Sequence, residues 1–234
     1  MDETTKTNRV RAPYFVAKYL AGKVLVIGCG KDIVCPGAQP FDQEHGDAQR
    51  IADYLPVKSY DTVYSSHCLE HMPNPAAALA QWWSLVKPGG FLVTVVPHED
   101  LYEQGMWPSR FNSDHKATFR LGGETKFSPV SYDIYALVAQ LPQSHIVDAQ
   151  IQDQGYDYAL MSPKQGGVKK PWVSLKWARK LLRALSKPMP KIRKQLTYWV
   201  EDLYFHRYGH PVDQTSRDAL AQIQIIAQKA VSQT

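Results

Sequence analysis

The sequence predicts an α/β protein whose core is a mostly parallel β-sheet flanked by helices. Short apolar runs alternate along the chain with longer segments of helical period, a pattern typical of strands joined by crossover helices. The 234 residues suffice for one such domain with an appendage. No apolar run approaches about 18 residues, so we expect no transmembrane helix.

Six segments have the composition of strands. They are Lys23–Gly28, Ala38–Phe41, Tyr60–Ser65, Phe91–Val96, His145–Asp153 and Tyr156–Ser162. The last two alternate apolar and polar residues and are expected to form a hairpin that turns at residues 154–155. A helix is predicted over Pro75–Leu85 and a turn over Lys87–Gly90. Residues 47–54 are expected to form a loop or short helix, and residues 97–140 a long insertion of loops and short helices.

The first strand ends in the most informative segment of the chain, Val24-Leu-Val-Ile-Gly-Cys-Gly30. A buried strand that runs into Gly-x-Gly lets a ligand approach the backbone, because glycine has no Cβ. Only eleven residues separate Gly30 from Asp42. This is too short for a full helix, so we expect an abbreviated crossover between the first two strands.

The net charge of +5 is unevenly distributed. Residues 1–163 carry 13 Lys/Arg and 18 Asp/Glu, whereas residues 164–199 carry 11 Lys/Arg and no acid. The three cysteines lack the spacing of a metal site, and the N-terminus lacks the apolar core of a secretion signal. We therefore expect a cytoplasmic protein with reduced thiols.

Residues 164–234 are expected to form a basic helical appendage to a domain of residues 1–163. Helices are predicted over Trp172–Ser186, from Ile192 to about Phe205, and over Thr215–Val231. Residues 164–199 have three open interpretations: a helix on the inner face of an anionic membrane, a phosphate-binding nucleic-acid surface, or a solvated face beside the acidic body. Nucleic acid is the least favoured of these partners.

Four segments in the first half of the chain are informative through their order. They are Val24–Gly30, Phe41–Glu44, Gly46–Ala48, and Tyr60–His71 followed by Leu85–Leu92. In this order they resemble the class I S-adenosylmethionine-dependent methyltransferase family, over residues 20–100 and, in outline, 145–163. A bacterial subgroup often associated with polysaccharide biosynthesis shares Ser65-Ser-His-Cys-Leu-Glu-His71 and the segment Asp100–His115. The resemblance implies a Rossmann-like, seven-stranded sheet, although the third glycine of the family's first motif is missing here.

The resemblance implies S-adenosylmethionine as the cofactor, bound beyond the carboxyl ends of the strands. Asp42 is expected to accept two hydrogen bonds from the ribose diol, with Glu44 as the alternative. Asp47 and Ala48 are expected beside the adenine, where Asp47 would accept from the exocyclic amine. The other residues expected to contact the cofactor are Gly28, Cys29, Gly30, Ser65 and His67. Glu70 and His71 are interpreted mainly as helix-start and packing residues.

The expected reaction is O-methylation, in which an attacking hydroxyl must lose its proton to a base. His115, oriented by Asp114, and His98 are the candidate bases. Arg110 is predicted to hold an anionic group of the acceptor, and Tyr102 and Trp107 to stack on a sugar ring. A divalent-metal site among His98, Glu99, Asp100, Asp114 and His115 is not favoured, because their spacing is not diagnostic, and no metal ligand is predicted.

The predicted acceptor is a hydroxyl of a cell-surface polysaccharide or of its lipid- or nucleotide-linked sugar precursor. A methyltransferase acting on a carboxylate, amine or quinone of a small molecule or lipid is an alternative. A further alternative is a scaffold that binds S-adenosylmethionine without catalysis, which the missing third glycine slightly favours and the acids Asp42 and Asp47 disfavour. The sequence makes no prediction about the oligomeric state.

Overall fold

The structure is a computed structural model that describes residues 3–125, 127–161, 173–185 and 190–231. Within these residues, a main sheet of six strands is accompanied by a second sheet of two strands. The first half contains α1 (Glu3–Val10), α2 (Tyr14–Tyr19), β1 (Val24–Ile27), β2 (Gln39–Phe41), β3 (Tyr60–Ser66), α3 (Pro75–Leu85) and β4 (Val86–Pro97). The second half contains β5 (Thr118–Arg120), β6 (Ser131–Asp133), α4 (Ile134–Ala139), β7 (Ser144–Gln152), α5 (Leu175–Leu185), α6 (Pro190–Tyr208) and β8 (Gln222–Lys229).

The main sheet has the strand order β2-β1-β3-β4-β8-β7, and the small sheet pairs β5 with β6. β1 pairs in parallel with β2 and β3, and β3 pairs in parallel with β4. β8 runs antiparallel to both β4 and β7. The carboxyl ends of β1 to β4 therefore meet at one edge of the sheet, while the other half of the sheet is antiparallel.

Every residue of β1 is buried, because elements cover both faces of the sheet. Leu25 and Ile27 pack with Trp82 of α3 on one face, and Val26 packs with Phe15 of α2 on the other. This two-sided cover explains why the strand is apolar throughout rather than alternating. The predicted abbreviated crossover is also confirmed, since no helix lies between β1 and β2.

The start of α3 is set by two local signals. The side chain of Asn74 accepts a hydrogen bond from the backbone N of Ala77 at 3.0 Å, and Pro75 occupies the first turn. Further along α3, Nε1 of Trp82 donates to the backbone O of Ala48 at 2.8 Å. This bond fixes the segment after β2 beside the strand ends.

Several predicted elements are wrong. The segment predicted as a third appendage helix instead contains a 3₁₀ turn, Gln214–Arg217, and the strand β8. Residues 156–161 contain a 3₁₀ turn rather than a strand, so β7 pairs with β8 and not with a hairpin partner. The main sheet consequently has six strands among the described residues instead of seven. The predicted turn Lys87–Gly90 lies inside β4, where the register with β3 shifts.

Along the chain, the basic helices α5 and α6 lie between the strands β7 and β8. β8 enters the sheet between β4 and β7, so a division at residue 163 would separate β8 from its partners. α5 and α6 correspond to the first two predicted helices, whereas Trp172 and Ser186 lie outside the described residues. Arg217, before β8, holds α6 through Glu201 at 3.0 Å and Asp202 at 2.7 Å.

No helix among the described residues is long and apolar enough to cross a membrane. The three cysteines are present as free thiols.

Candidate functional site

An open cavity of about 790 Å³ lies where β1, β2 and β3 end. This is the edge at which open parallel sheets bind ligands, and the volume is in the usual range for a small-molecule site. Five of the residues predicted to contact the cofactor line the cavity: Gly28, Asp42, Asp47, Ala48 and His67. The parallel strands thus bring most of the predicted cofactor residues together.

Asp42 follows β2 directly, and two backbone groups fix its carboxylate. Its Oδ2 accepts a hydrogen bond from the N of Gly30 at 2.6 Å, and its Oδ1 accepts from the N of Gln43 at 2.8 Å. A carboxylate has about four lone-pair positions, so two remain for a ligand in the cavity. Glu44, the alternative acid, is exposed and does not line the cavity. Asp42 is therefore the acid that fits a ribose diol.

The two glycines of the first turn have different structural roles. Gly28 has φ of +69°, and a Cβ built on it would lie 2.5 Å from Sγ of Cys68. Gly30 has φ of +53°, but a Cβ there would meet no atom within 4 Å. Gly28 is thus required by close packing against Cys68, whereas at Gly30 only the backbone conformation favours glycine.

Asp47 and Ala48 lie at the end of the cavity near α3. Oδ1 of Asp47 accepts a hydrogen bond from the N of Gln49 at 2.9 Å and so caps the 3₁₀ turn Ala48–Asp53. Ala48 is held by Trp82, as described above. The two residues are therefore held in the cavity wall near Asp42, and the expectation that they lie beside the adenine stays a prediction.

Cys29, Gly30 and Ser65 do not line this cavity, and their contacts with the cofactor stay predictions. Ser65 is buried inside β3, because both faces of this strand are covered. Burial is the main cause that raises the pKa of the Cys29 thiol, and Asp42 raises it further. Gly30 contributes only through its N–H group, which positions Asp42.

The cavity fits the expected cofactor, S-adenosylmethionine, in three respects. Its volume is sufficient, the Asp42 carboxylate is fixed at the end of β2, and the backbone of Gly28 is open toward the cavity. The residues that would hold the cofactor are Gly28, Asp42, Asp47 and Ala48.

A buried carboxylate lies beside this cavity among three histidines. Glu70 is 1% exposed and belongs to the turn Leu69–His71 after β3. Its Oε1 lies 3.6 Å from Nδ1 of His67, 3.9 Å from Nε2 of His71 and 4.0 Å from Nε2 of His115. Neither carboxylate oxygen has a hydrogen-bond partner among the described residues. We refer to Glu70, His71 and His115 as the Glu70 cluster.

Two further carboxylates orient the imidazoles of the Glu70 cluster. Nδ1 of His115 lies 2.8 Å from Oε1 of Glu103, and Nδ1 of His71 lies 2.9 Å from Oδ2 of Asp114. The predicted pairing of Asp114 with His115 is therefore wrong, because Asp114 contacts His71 instead. His71 and Asp114 line the cavity, whereas His115 lies behind them and is almost fully buried.

His98, the other candidate base, is not in the cavity wall. It is buried after β4, where its Nδ1 accepts a hydrogen bond from the N of Asp100 at 3.1 Å. Glu99 instead accepts from the hydroxyl of Thr118 at 2.9 Å. The five residues considered for a metal site at the sequence level are thus not brought together, and among them only His115 belongs to the Glu70 cluster.

A second cavity, of about 960 Å³, lies between the insertion and the basic helices, and we call it the basic cavity. Its basic lining residues are Arg110, Arg179, Arg193, Lys194 and His210, and the acidic residues Glu201 and Asp213 line it as well. Burial, followed by the charge of Arg110, lowers the pKa of His210. Nδ1 of His210 and Nε of Arg179 have no hydrogen-bond partner among the described residues. Arg179 is paired with Glu201, and Lys194 with Asp218 at 3.3 Å, so an anionic ligand in this cavity would depend mainly on Arg110 and Arg193.

A row of rings connects the two cavities. His71 packs on His115 with ring centroids 5.1 Å apart, His115 on Tyr102 at 5.2 Å, and Tyr102 on Phe111 at 5.7 Å. Phe111 lines the basic cavity and His71 lines the cavity at the strand ends. Tyr102 is thus half-buried within the row, and Trp107 lines neither cavity, so their predicted stacking on a sugar is not supported by their positions.

Glu70 and His71 are the functional candidates that the sequence interpretation missed. Both were assigned to local structure, and Glu103 was assigned no role. The available signal was the placement of His67, Glu70 and His71 within five positions directly after a strand. Three ionisable side chains at a strand end are more than a helix start requires.

Comparisons with known proteins found one family model and several similar solved structures. Residues 11–122 match the family model described as a methyltransferase domain. A search of curated proteins finds no match. Similar solved structures include a SAM-dependent methyltransferase from Archaeoglobus fulgidus, with 18% identity, 98% of this chain and 95% of that chain covered, and a TM-score of 0.48.

Two further solved structures have similar scores. An S-adenosylmethionine-dependent methyltransferase from Mesorhizobium loti has 12% identity and a TM-score of 0.40, with 88% of this chain and 90% of that chain covered. Phosphoethanolamine N-methyltransferase 2 from Haemonchus contortus, in complex with S-adenosylhomocysteine, has 13% identity and a TM-score of 0.45. The match covers 89% of this chain and 49% of that chain.

Proposed function

We propose that this chain is an S-adenosylmethionine-dependent methyltransferase that methylates a hydroxyl of a cell-surface carbohydrate or of its nucleotide- or lipid-linked precursor. The observation that carries the proposal is the Glu70 cluster, which lies against the cofactor cavity with two oriented imidazoles. A hydroxyl attacks an electrophilic methyl group only when a base removes its proton, whereas a carboxylate needs no base. A histidine and carboxylate cluster at this position therefore favours a hydroxyl acceptor.

The cofactor supplies a methyl group on a sulfonium sulfur. Asp42 and the Gly28 turn would hold the cofactor at the strand ends, and the Asp47 segment would close the adenine side. His71 and Asp114 lie in the same cavity wall, so a hydroxyl that enters beside them is oriented toward the bound cofactor. The Glu70 cluster accepts the proton that this hydroxyl loses.

The basic cavity supports an acceptor that carries a phosphate or another anionic group. Arg110, Arg193 and Lys194 offer cationic groups that bind phosphate oxygens. Four rings, from Phe111 to His71, lie between this cavity and the methyl-transfer site, and successive ring centroids are 5.1 to 5.7 Å apart. An acceptor that spans both cavities has its anionic group well away from its reacting hydroxyl, as a nucleotide- or lipid-linked sugar does.

The surface of α5 and α6 favours an acceptor presented at an anionic membrane. Trp177 and Leu181 of α5 are 64% and 62% exposed, one helical turn apart. The exposed apolar residues of α6 recur at helical spacing: Ile192, Leu196, Trp199 and Leu203. Nζ of Lys180 lies 4.8 Å from the Trp177 ring, so cationic and apolar groups are interleaved. Such a surface binds the interface of anionic lipids.

The acceptor is tested with the full chain, methyl-labelled S-adenosylmethionine, and a panel of nucleotide sugars and polyprenyl-diphosphate-linked sugars. We expect label in a methyl ether, which resists alkaline hydrolysis. Transfer only to small carboxylic acids, in products that alkali cleaves, would contradict the proposal.

The base is tested with His71→Asn and the matched control His206→Asn, since His206 is exposed on α6. We expect kcat to fall by about 10²–10⁴-fold in His71→Asn, with the affinity for S-adenosylhomocysteine retained, and to be unchanged in the control. An unchanged kcat in His71→Asn would exclude the Glu70 cluster as the base.

A further inference from the structure

The environment of the Glu70 carboxylate is one in which a nearby cation would stabilise its charge. It is almost completely buried, and neither oxygen accepts a hydrogen bond from a described residue. A buried carboxylate without such partners is costly unless a positive charge lies close to it. Three imidazole nitrogens lie within 4.0 Å of Oε1: Nδ1 of His67 at 3.6 Å, Nε2 of His71 at 3.9 Å and Nε2 of His115 at 4.0 Å. These nitrogens therefore face the space beside the carboxylate in which a bound cation would lie.

The other nitrogen of each imidazole is already occupied. Glu103 holds Nδ1 of His115 at 2.8 Å, and Asp114 holds Nδ1 of His71 at 2.9 Å. A carboxylate on one ring nitrogen sets the tautomer, so that the opposite nitrogen presents a lone pair. This pattern of carboxylate, histidine and open Nε2 is typical of metal-binding histidines, and here it occurs twice around one carboxylate.

We infer that Glu70, His71 and His115 bind one divalent first-row transition metal ion, such as Zn²⁺ or Mn²⁺. The ligand atoms of the three residues all lie within 4.8 Å of one another. Two imidazole nitrogens and one carboxylate oxygen are a donor set that such ions accept. Three protein ligands leave coordination positions open, which is typical of catalytic rather than structural sites.

The geometry is compatible with a small closure. Ligand atoms about 2.0–2.1 Å from a tetrahedral ion lie roughly 3.3 Å apart. The separations of 3.9 and 4.0 Å must therefore shorten by about 0.6–0.7 Å, and a separation at the 4.8 Å limit of the cluster by about 1.5 Å. The two segments involved are already joined, since the N of Lys116 donates to the O of Glu70 at 2.8 Å. His71 lines the cavity at the strand ends, so the open positions are accessible from the acceptor side.

The catalytic use of this ion rests on the proposed transfer to a hydroxyl. A metal-bound water loses its proton near neutral pH and becomes a hydroxide. This hydroxide takes the proton of the acceptor hydroxyl and returns to water, while the resulting alkoxide attacks the methyl carbon and the sulfur keeps the electron pair of the broken bond. Glu70, His71 and His115 then act together as ligands, so that the cluster accepts the proton through the bound hydroxide, and the carboxylate of Glu70 also balances part of the charge of the ion.

The inference is tested with Co²⁺ and the full chain after chelator treatment, without cofactor or acceptor. We expect one Co²⁺ per chain, visible absorption bands of a nitrogen- and oxygen-ligated ion, and displacement by Zn²⁺. Glu70→Gln should abolish the bands, and Glu103→Gln should weaken binding by about 10–100-fold. The matched control Glu124→Gln, on an exposed loop, should bind as the unaltered chain does.

Circular dichroism of each variant establishes that it is folded. Absence of stoichiometric Co²⁺ binding, or bands that persist in a folded Glu70→Gln, would overturn the inference. Because this measurement uses no acceptor, it is independent of the hydroxyl assay. Metal binding with an acceptor other than a hydroxyl would refute only the proposed function.

Discussion

The pair Gly28 and Gly30 gives a matched test of how the first turn is built. In Gly28→Ala the new Cβ lies 2.5 Å from Sγ and 2.6 Å from Cβ of Cys68, at a φ of +69°. In Gly30→Ala the backbone is also left-handed, but the new Cβ meets nothing within 4 Å. The two substitutions thus share the conformational penalty and differ in the steric one.

The magnitudes follow from these two contributions. A left-handed conformation costs alanine about 1–2 kcal/mol, and overpacking a filled site costs about 1–3 kcal/mol more. We expect the free energy of unfolding to fall by about 1–2 kcal/mol in Gly30→Ala and by about 2–5 kcal/mol in Gly28→Ala. Urea unfolding followed by circular dichroism, with linear extrapolation, measures both values.

A double-mutant cycle with Cys68→Gly identifies the cause. Cys68→Gly removes the two atoms that the new Cβ would meet, so the Gly28→Ala penalty should fall to the Gly30→Ala value in that background. Equal penalties for Gly28→Ala and Gly30→Ala, or a penalty that Cys68→Gly does not reduce, would refute this explanation of the motif. Cys68 leads directly into the turn of Glu70, so the same contact positions the Glu70 cluster.

Three further predictions concern the basic helices and the basic cavity. The double variant Trp177→Ser, Leu181→Ser should bind phosphatidylglycerol vesicles at least about 10-fold more weakly, because both side chains would be buried in the lipid interface. The control Tyr158→Ser, which changes a similarly exposed side chain, should bind as the unaltered chain does. Equal sedimentation of the double variant and the control with vesicles would contradict this prediction. Burial and Arg110 lower the pKa of His210, so the unfolded chain binds its proton at higher pH and the free energy of unfolding falls as the pH drops below about 6.5. His210→Gln should flatten this dependence in urea titrations from about pH 7.5 to 5, and an unaltered slope would show that His210 does not cause it. Arg110→Ala should raise KM for a phosphate-bearing acceptor and leave kcat nearly unchanged, and steady-state kinetics showing a selective loss of kcat would contradict a binding role.

The strand-end part of the site was predictable because one rule of sheet geometry determines it. Parallel strands end at a common edge, so residues after β1, β2 and β3 had to meet there. Gly28, Asp42 and His67 satisfy this rule, and their order in the chain was sufficient to place them. Ser65 does not line the cavity because both faces of β3 are covered, and this cover is a tertiary property that the strand's own sequence does not reveal.

The Glu70 cluster was not predictable from spacing. His115 reaches Glu70 through a backbone bond between Lys116 and Glu70 that joins two loops far apart in sequence. Asp114 and His115 are neighbours in the chain, yet they orient different imidazoles, so their adjacency suggested the wrong pair. Unlike a helix or a strand, a loop has no regular repeat from which the directions of its side chains can be predicted. The side chains that meet in the insertion are therefore known only from the folded structure.

The strand β8 illustrates a different difficulty. Its isoleucines at positions 223, 225 and 226 suit a strand, but the wider segment also has a helical period. Its partners, β4 and β7, are distant in sequence, and pairing with them buries nearly the whole strand. Tertiary pairing therefore overrides the local pattern, and a boundary placed at residue 163 by charge alone divides a single sheet.

The most direct test of the account is calorimetric titration of the full chain with S-adenosylhomocysteine, beside Asp42→Asn. We expect saturable binding at one site per chain. Asp42→Asn should weaken this binding by about 100-fold or more, because charge-assisted bonds of about 1.5–3 kcal/mol each to the ribose are lost. Binding that is unaffected by Asp42→Asn would contradict the placement of the cofactor at the ends of β1 and β2.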